Sequence, residues 1–149
     1  ERSNNSWNQL GSDIIGENTG DLFGYTISLS SDGSSVAIGA PWNDGGGSTA
    51  GHVRIYQWNG NVWTQIGGDI DGETNNDGSG FSVSLSDDGT RVAIGAPYND
   101  NGGNNEGHVR IYEWDGSNWN QLGSDLDGEA SNDRSGTAVS ISGDGTHIA

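Results

Sequence analysis

Several short stretches of this chain alternate a large apolar residue with a small or polar one, and each is bounded by Gly, Asn and Asp. Tyr25-Thr26-Ile27-Ser28-Leu29-Ser30 puts its bulk on one face and only Ser or Thr on the other. Val36-Ala37-Ile38-Gly39-Ala40 repeats the division with Ala and Gly as the small partners. His52-Val53-Arg54-Ile55-Tyr56-Gln57-Trp58 and Val62-Trp63-Thr64-Gln65-Ile66 follow. Period-two alternation between clusters of turn formers predicts four antiparallel strands. No stretch carries a helical period, so the chain is expected to be all-β.

The same pattern then returns. Trp7, Trp63 and Trp119 stand 56 residues apart, and the glycines, aspartates and apolar positions between them recur in register. The expected organisation is one repeat array over residues 1–149. It has a lead-in at 1–6, a first copy at 7–62 that starts with its outer strand, a second at 63–118 and a truncated third at 119–149. A period of this length means a solenoid, a propeller or an array, in which neighbouring units must stack to bury their apolar faces. The chain is 19 residues short of three full units, so it reads either as part of a longer repeat protein or as a unit that copies of itself complete.

The division into large and small faces narrows the choice. A strand with one wet face usually carries long polar side chains there, whereas Ser, Ala and Gly let a second sheet approach closely. Both faces are therefore expected to be covered, which is what the stacked four-stranded blades of a β-propeller require. The fold class is thus a propeller of four-stranded antiparallel blades, either partial or completed by oligomerisation. Asp-Gly at Asp32-Gly33, Asp88-Gly89 and Asp144-Gly145 supplies the hairpins between the first two strands. Asn59-Gly60 and Asp115-Gly116 read as two-residue turns, which would set Tyr56 opposite Trp63.

Charge limits the partners. Twenty-one Asp and Glu face five Arg and no Lys, for a formal net charge of −16. Such a field repels nucleic acid and anionic membrane surfaces and favours cations and saline surroundings. No apolar run reaches the length of a membrane span, so no membrane insertion is expected. Cysteine is absent, which removes disulfides and thiolate metal sites.

Phe23-Gly24 followed by Gly39-Ala40-Pro41, with Gly95-Ala96-Pro97 in the next copy, resembles the FG-GAP repeat of integrin α-subunit propellers and secreted microbial proteins. The Phe-Gly pair becomes Ser79-Gly80 and Ser135-Gly136, so the glycine alone recurs in every copy. The resemblance implies a β-propeller used for adhesion and ligand binding, extracellular or at the cell surface, often with calcium. The family's calcium loop lies between the first two strands. Here that place holds only the turns at Asp32-Gly33 and Asp88-Gly89, too few oxygens for a calcium shell.

Candidate chemistry sits in the loops. Asp69, Asp71, Glu73 and Asp77, and again Asp125, Asp127, Glu129 and Asp133, fall at positions 1, 3, 5 and 9 of an acidic connection, the spacing by which a calcium loop gathers oxygens. Against calcium, the glycine stands at position 4, no glutamate follows at 12, and the first copy has Ile15 in place of a ligand. The plainer reading is that Asp21, Asp77 and Asp133 accept backbone hydrogen bonds. No cofactor is required, and calcium is the one candidate ion.

Polar loops at Asn43 and Asp44, and at Asn99, Asp100, Asn101 and Glu106, are the candidate ligand contacts, with Trp58 and Trp114 as aromatic platforms. Packing is the plainer reading of those tryptophans. His52 and His108 read as structural, and Arg54 and Arg110 as arginines paired with nearby carboxylates, because repeated residues lie on different blades and do not converge. No Ser, His and Asp arrangement marks a nucleophile, so no enzyme is expected. The functional expectation is a non-catalytic extracellular module presenting repeated polar loops to a protein or glycan. The alternatives are a multivalent lectin using Trp and Asn/Asp loops, and a structural unit of a surface filament or layer that self-associates through open blade edges.

Overall fold

A computed structural model describes residues 1–3, 5–100 and 103–149. Among the described residues there are strands and turns and no helix. Strands β1 (Arg2–Ser3) and β2 (Ser6–Trp7) form a small ribbon. The first large sheet contains β3 (Thr26–Leu29), β4 (Ser35–Ala40), β5 (His52–Trp58), β6 (Trp63–Gln65) and β7 (Ile70–Asp71). The second contains β8 (Ser82–Leu85), β9 (Arg91–Ala96), β10 (His108–Trp114), β11 (Trp119–Gln121) and β12 (Leu126–Asp127). Both are antiparallel, in the orders β3-β4-β5-β6 and β8-β9-β10-β11. Their size and connectivity are those of propeller blades.

Two local expectations need correction. The outer edge of β5 takes a second short strand beyond β6: Ile70 pairs with Val53 and Asp71 with His52. Ile70 is buried in the core between the sheets, so the supposed acidic connection begins as strand. One apolar residue between two aspartates is too short a pattern to announce it. The β5–β6 turn is also longer than two residues. Asn59 Oδ1 accepts the amides of Asn61 and Val62 at 3.0 and 2.9 Å, and Asp115 does the same for Ser117 and Asn118, both at 2.8 Å. This side-chain cap builds a four-residue loop, which shifts the register so that Trp58 faces Trp63 and Tyr56 faces Gln65.

The sheets stack through unlike faces. On the first, Ala37, Val53 and Ile55 line the side turned to the second sheet, which answers with Leu85, Val92, Ile94 and Tyr112. The second sheet's other side, Ala93, Val109 and Ile111, receives Ile141 together with Val139 and Ile148 from the third copy. The small residues expected only to allow this approach also bond across it. Thr26 Oγ1 donates to the Gly80 carbonyl at 3.0 Å and Ser82 Oγ to the Gly136 carbonyl at 2.7 Å. Ser28 Oγ accepts the Leu85 amide at 2.9 Å, and Ser84 Oγ accepts the Ile141 amide at 3.1 Å. Ser28→Ala strands the Leu85 amide in a closed interface and is expected to destabilise by about 1–2 kcal/mol, measured by urea unfolding, whereas Ser117→Ala in an exposed turn should change little.

The tryptophans tie the outer edges together. Trp63 Nε1 donates to the Leu10 carbonyl at 3.1 Å and Trp119 Nε1 to the Ile66 carbonyl at 3.0 Å. Residues near Leu10 thus stand to the first sheet as the end of β6 stands to the second. The expectation that both faces are covered fails at β3 of the first sheet, although Val36 and Ile38 beside it on the same face are buried. Ile27 and Leu29 on β3 are 61% and 58% exposed, while Leu85, in the place of Leu29 on the second sheet, is 7% exposed.

Candidate functional site

Alternation along β5 sends His52, Arg54 and Tyr56 to one face, and along β10 it sends His108, Arg110 and Tyr112 to the matching face. Each histidine is buried at the start of its strand. Two acidic residues meet it from different parts of the chain: Glu17 and Asp69 at His52, and Glu73 and Asp125 at His108. In both groups one ligand atom from each of the three residues lies within 4.8 Å of the others.

The arginines distinguish the two groups. Arg54 donates from Nε and from one terminal nitrogen to the two oxygens of Asp69, at 2.8 and 2.7 Å, and pairs with Glu17 as well. This fork-on-carboxylate geometry raises the Arg54 pKa further and lowers those of Asp69 and Glu17, in each case chiefly through the hydrogen bonds themselves. The first group therefore already holds a cation.

Arg110 is placed differently. One terminal nitrogen donates to the Asp71 backbone carbonyl of the first sheet at 2.8 Å, and the other lies 3.5 Å from Glu73. Its guanidinium stands 5.7 Å from the centre of the Tyr112 ring. Among the described residues no ion pair joins Arg110 to Asp125. The physical reason is the stacking: Arg110 has the outer strand of a neighbouring sheet to bond, and the position that would serve Arg54 in the same way is Ile15, which is largely exposed. Burial lowers the pKa of both histidines, with the adjacent arginine charge acting in the same direction. Both rings are thus neutral near pH 7.

The acidic series do not converge as calcium loops. Asp69 is taken by Arg54. Asp71 lies opposite His52, and its carboxyl is pushed up by burial and then by the Asp69 charge. Glu73 reaches Arg110. Asp77 is buried and accepts the amides of Glu73 and Thr74 at 3.0 and 2.8 Å and the Thr74 hydroxyl at 2.8 Å. In the later copy Asp125 turns to His108 and Gln121, while Asp127 ends β12. Asp133 accepts the amides of Glu129 and Ala130. Asp77 and Asp133 hold their own loops, as the plainer reading expected, and Asp21 takes the Asn43 side-chain amide at 2.7 Å.

The expected loop contacts also divide. Asn43 and Asn99 are buried, at 1% and 2% exposure, so neither presents its side chain to a ligand. The Asn43 Oδ1 accepts the Gly45 amide within its own loop. Asp44 and Asp100 are exposed and close their loops by accepting the Thr49 and Asn105 amides at 2.7 and 2.6 Å. Glu106 is half-buried, and Asn101 lies outside the described residues. Trp58 and Trp114 pack on Trp63 and Trp119, with ring centres 5.4 and 5.3 Å apart. They sit at the opposite end of the sheets from the polar loops, so one platform does not unite them.

At the loop end a groove of about 340 Å³ runs between the two sheets, lined by Trp42, Thr49, Asn76, Gly78, Tyr98 and Asn105. Trp42 is 49% exposed. Tyr98 is held from behind by Phe81, edge to face at 5.8 Å, and lies beneath the Arg134 guanidinium. Thr49, Asn76 and Asn105 all adopt positive φ, which fixes their side chains around the groove. Sequence reasoning passed over Trp42 and Tyr98. The available signal was an aromatic residue directly after Gly-Ala-Pro in both copies, at the mouth of an otherwise polar loop.

The nearest approach to a catalytic relay is at the last turn, where Thr146 Oγ1 lies 2.8 Å from both Asp144 Oδ1 and His147 Nδ1. In the second copy Thr90 makes the same bond to Asp88 with Arg91 in the histidine's place, so the arrangement is turn chemistry, which lowers the Asp144 pKa to about 2. The family model described as FG-GAP repeat matches residues 16–56 and 70–112. No curated protein matches the chain.

Proposed function

This chain belongs to the FG-GAP repeat family, and we propose that it is a non-catalytic binding module which presents the loop end of its blades to a protein or glycan. Repeats of this family occur in extracellular adhesion and binding proteins and are typically non-catalytic. An extracellular or cell-surface position accords with that. Among the described residues no helix is long and apolar enough to cross a membrane.

The observation that carries the reading is the groove at Trp42. A half-exposed indole beside Thr49, Asn76 and Asn105 offers an apolar surface ringed by donors and acceptors, the composition of a recognition site. Its lining residues all stand on loops, and the stacked sheets that anchor those loops set how far apart they lie. A screen against immobilised glycans and extracellular-matrix proteins tests this. Binding is expected to fall at least about tenfold in Trp42→Ala and to persist in Asn61→Ser at the opposite hairpin. Ligand binding that is equal in the two variants overturns the placement.

A second reading rests on Ile27 and Leu29. Their exposure on a face that is covered in the next blade favours a further blade-like surface as partner, supplied by more of the same array or by another copy. Light scattering across a concentration series separates this reading from that of a monomer.

A further inference from the structure

We propose that Glu73, His108 and Asp125 form a binding site for one divalent transition-metal ion of the zinc class. His108 is fully buried, and neither ring nitrogen has a hydrogen-bond partner. Buried side-chain nitrogen is almost always bonded, and an orphan of this kind points to a missing ligand. The Nδ1 atom is aimed at the carboxylates: it lies 3.6 Å from Asp125 Oδ2, too far for a hydrogen bond. Two ligands on a tetrahedral zinc, each about 2.0–2.1 Å from the metal, stand roughly 3.3 Å apart. The observed spacing is close to that edge, and the Glu73 ligand atom lies within 4.8 Å of both.

The surroundings suit a cation. Gln121 Nε2 holds the other Asp125 oxygen at 2.6 Å, so Oδ2 stays turned to His108, the kind of support that orients metal-binding carboxylates. The side chains of Asp125 and Glu73 are 19% and 35% exposed, which leaves an entry path and an open fourth position. One imidazole nitrogen with two carboxylates selects zinc or a neighbouring transition metal over calcium, which takes oxygen ligands. The matching group Glu17, His52 and Asp69 is occupied by the Arg54 guanidinium, whereas Arg110 bonds the Asp71 carbonyl and touches the second group only at Glu73, at 3.5 Å, leaving Asp125 to His108. One ion per chain follows, at the second blade alone.

The test is calorimetric titration of the full chain with zinc in excess magnesium, on a His147→Ala background that removes the exposed histidine. One zinc per chain is expected. Affinity should drop at least about tenfold in His108→Gln and in Asp125→Asn, and stay unchanged in His52→Gln. Glu73→Gln, at a partly exposed position, keeps the test valid if the buried substitution fails to fold. Cobalt substitution supplies a spectroscopic check: tetrahedral visible bands should form with the parent chain and vanish in Asp125→Asn. Absence of zinc binding by the parent, or binding untouched by both Glu73→Gln and Asp125→Asn, overturns the proposal.

Discussion

Gly39→Ala and Gly95→Ala are each expected to destabilise the chain by about 3 kcal/mol, lowering the melting temperature by about 10 °C. These glycines are buried one residue before the ends of β4 and β9, with ordinary strand backbone, so their need is for space and not for a special turn. A Cβ on Gly39 would strike the Gly80 carbonyl and come within 2.7 Å of Thr26 Oγ1, and one on Gly95 would strike the Gly136 carbonyl and Ser82 Oγ. In both cases the obstacle is the backbone of the next repeat, which a rotamer change does not clear. The hydroxyl that bonds the same carbonyl is displaced too, so the steric cost brings the loss of an inter-blade bond. Gly60→Ala is the control. Its φ of 94° strains a side chain, but nothing lies within 4 Å, and the expected loss is about 1 kcal/mol. Thermal melts of the three variants decide it, and equal losses at Gly39 and Gly60 would contradict the close stacking.

The second large effect is expected at Arg54. Replacing it by methionine keeps most of the apolar stem but removes the cation that joins Asp69 to Glu17, leaving like charges next to buried His52 and to Asp71. Arg54 is buried while Asp69 and Glu17 are exposed, so its loss is expected to cost about 1–2 kcal/mol, more than a surface pair and less than a buried one. Adding Asp69→Asn to Arg54→Met should recover part of that loss, because the stranded charge is removed with its partner. Urea unfolding of the two single variants and the double variant gives the coupling. Additive losses would mean that the pair contributes nothing beyond its separate members. Arg110→Met should cost less, since its strongest contact is a neutral carbonyl.

The strands, hairpins and stacking could be read from the sequence because each leaves a periodic trace: Ile27 and Leu29 against Ser28, or Val36 and Ile38 against Ala37. So could the capping aspartates Asp77 and Asp133, whose role is local. What escaped depends on a neighbouring repeat. Nothing in His-Val-Arg at 52–54 and 108–110 distinguishes the two copies, yet Arg54 closes on Asp69 while Arg110 crosses to the Asp71 carbonyl, because only the second has a sheet in front of it. The acidic spacing suggested calcium by treating nine residues as one loop. The strand at Ile70 and Asp71 divides that stretch, sending Asp69 and Asp77 to different tasks. The groove at Trp42 was missed because a single aromatic in a polar loop carries no period.

The serine and threonine bonds between sheets also give the array a direction. One face of each sheet offers the Thr and Ser hydroxyls, and the other offers the amides and carbonyls that those hydroxyls meet. The two faces are complementary to each other and not to themselves. A second copy adding to the exposed Ile27 and Leu29 surface would therefore have to come head to tail, because two such surfaces meeting face to face would bring no hydroxyl to bond the amides and carbonyls on either side. Symmetry follows from chemistry here: contacts of this kind close into rings or run on as filaments, and they do not make twofold dimers.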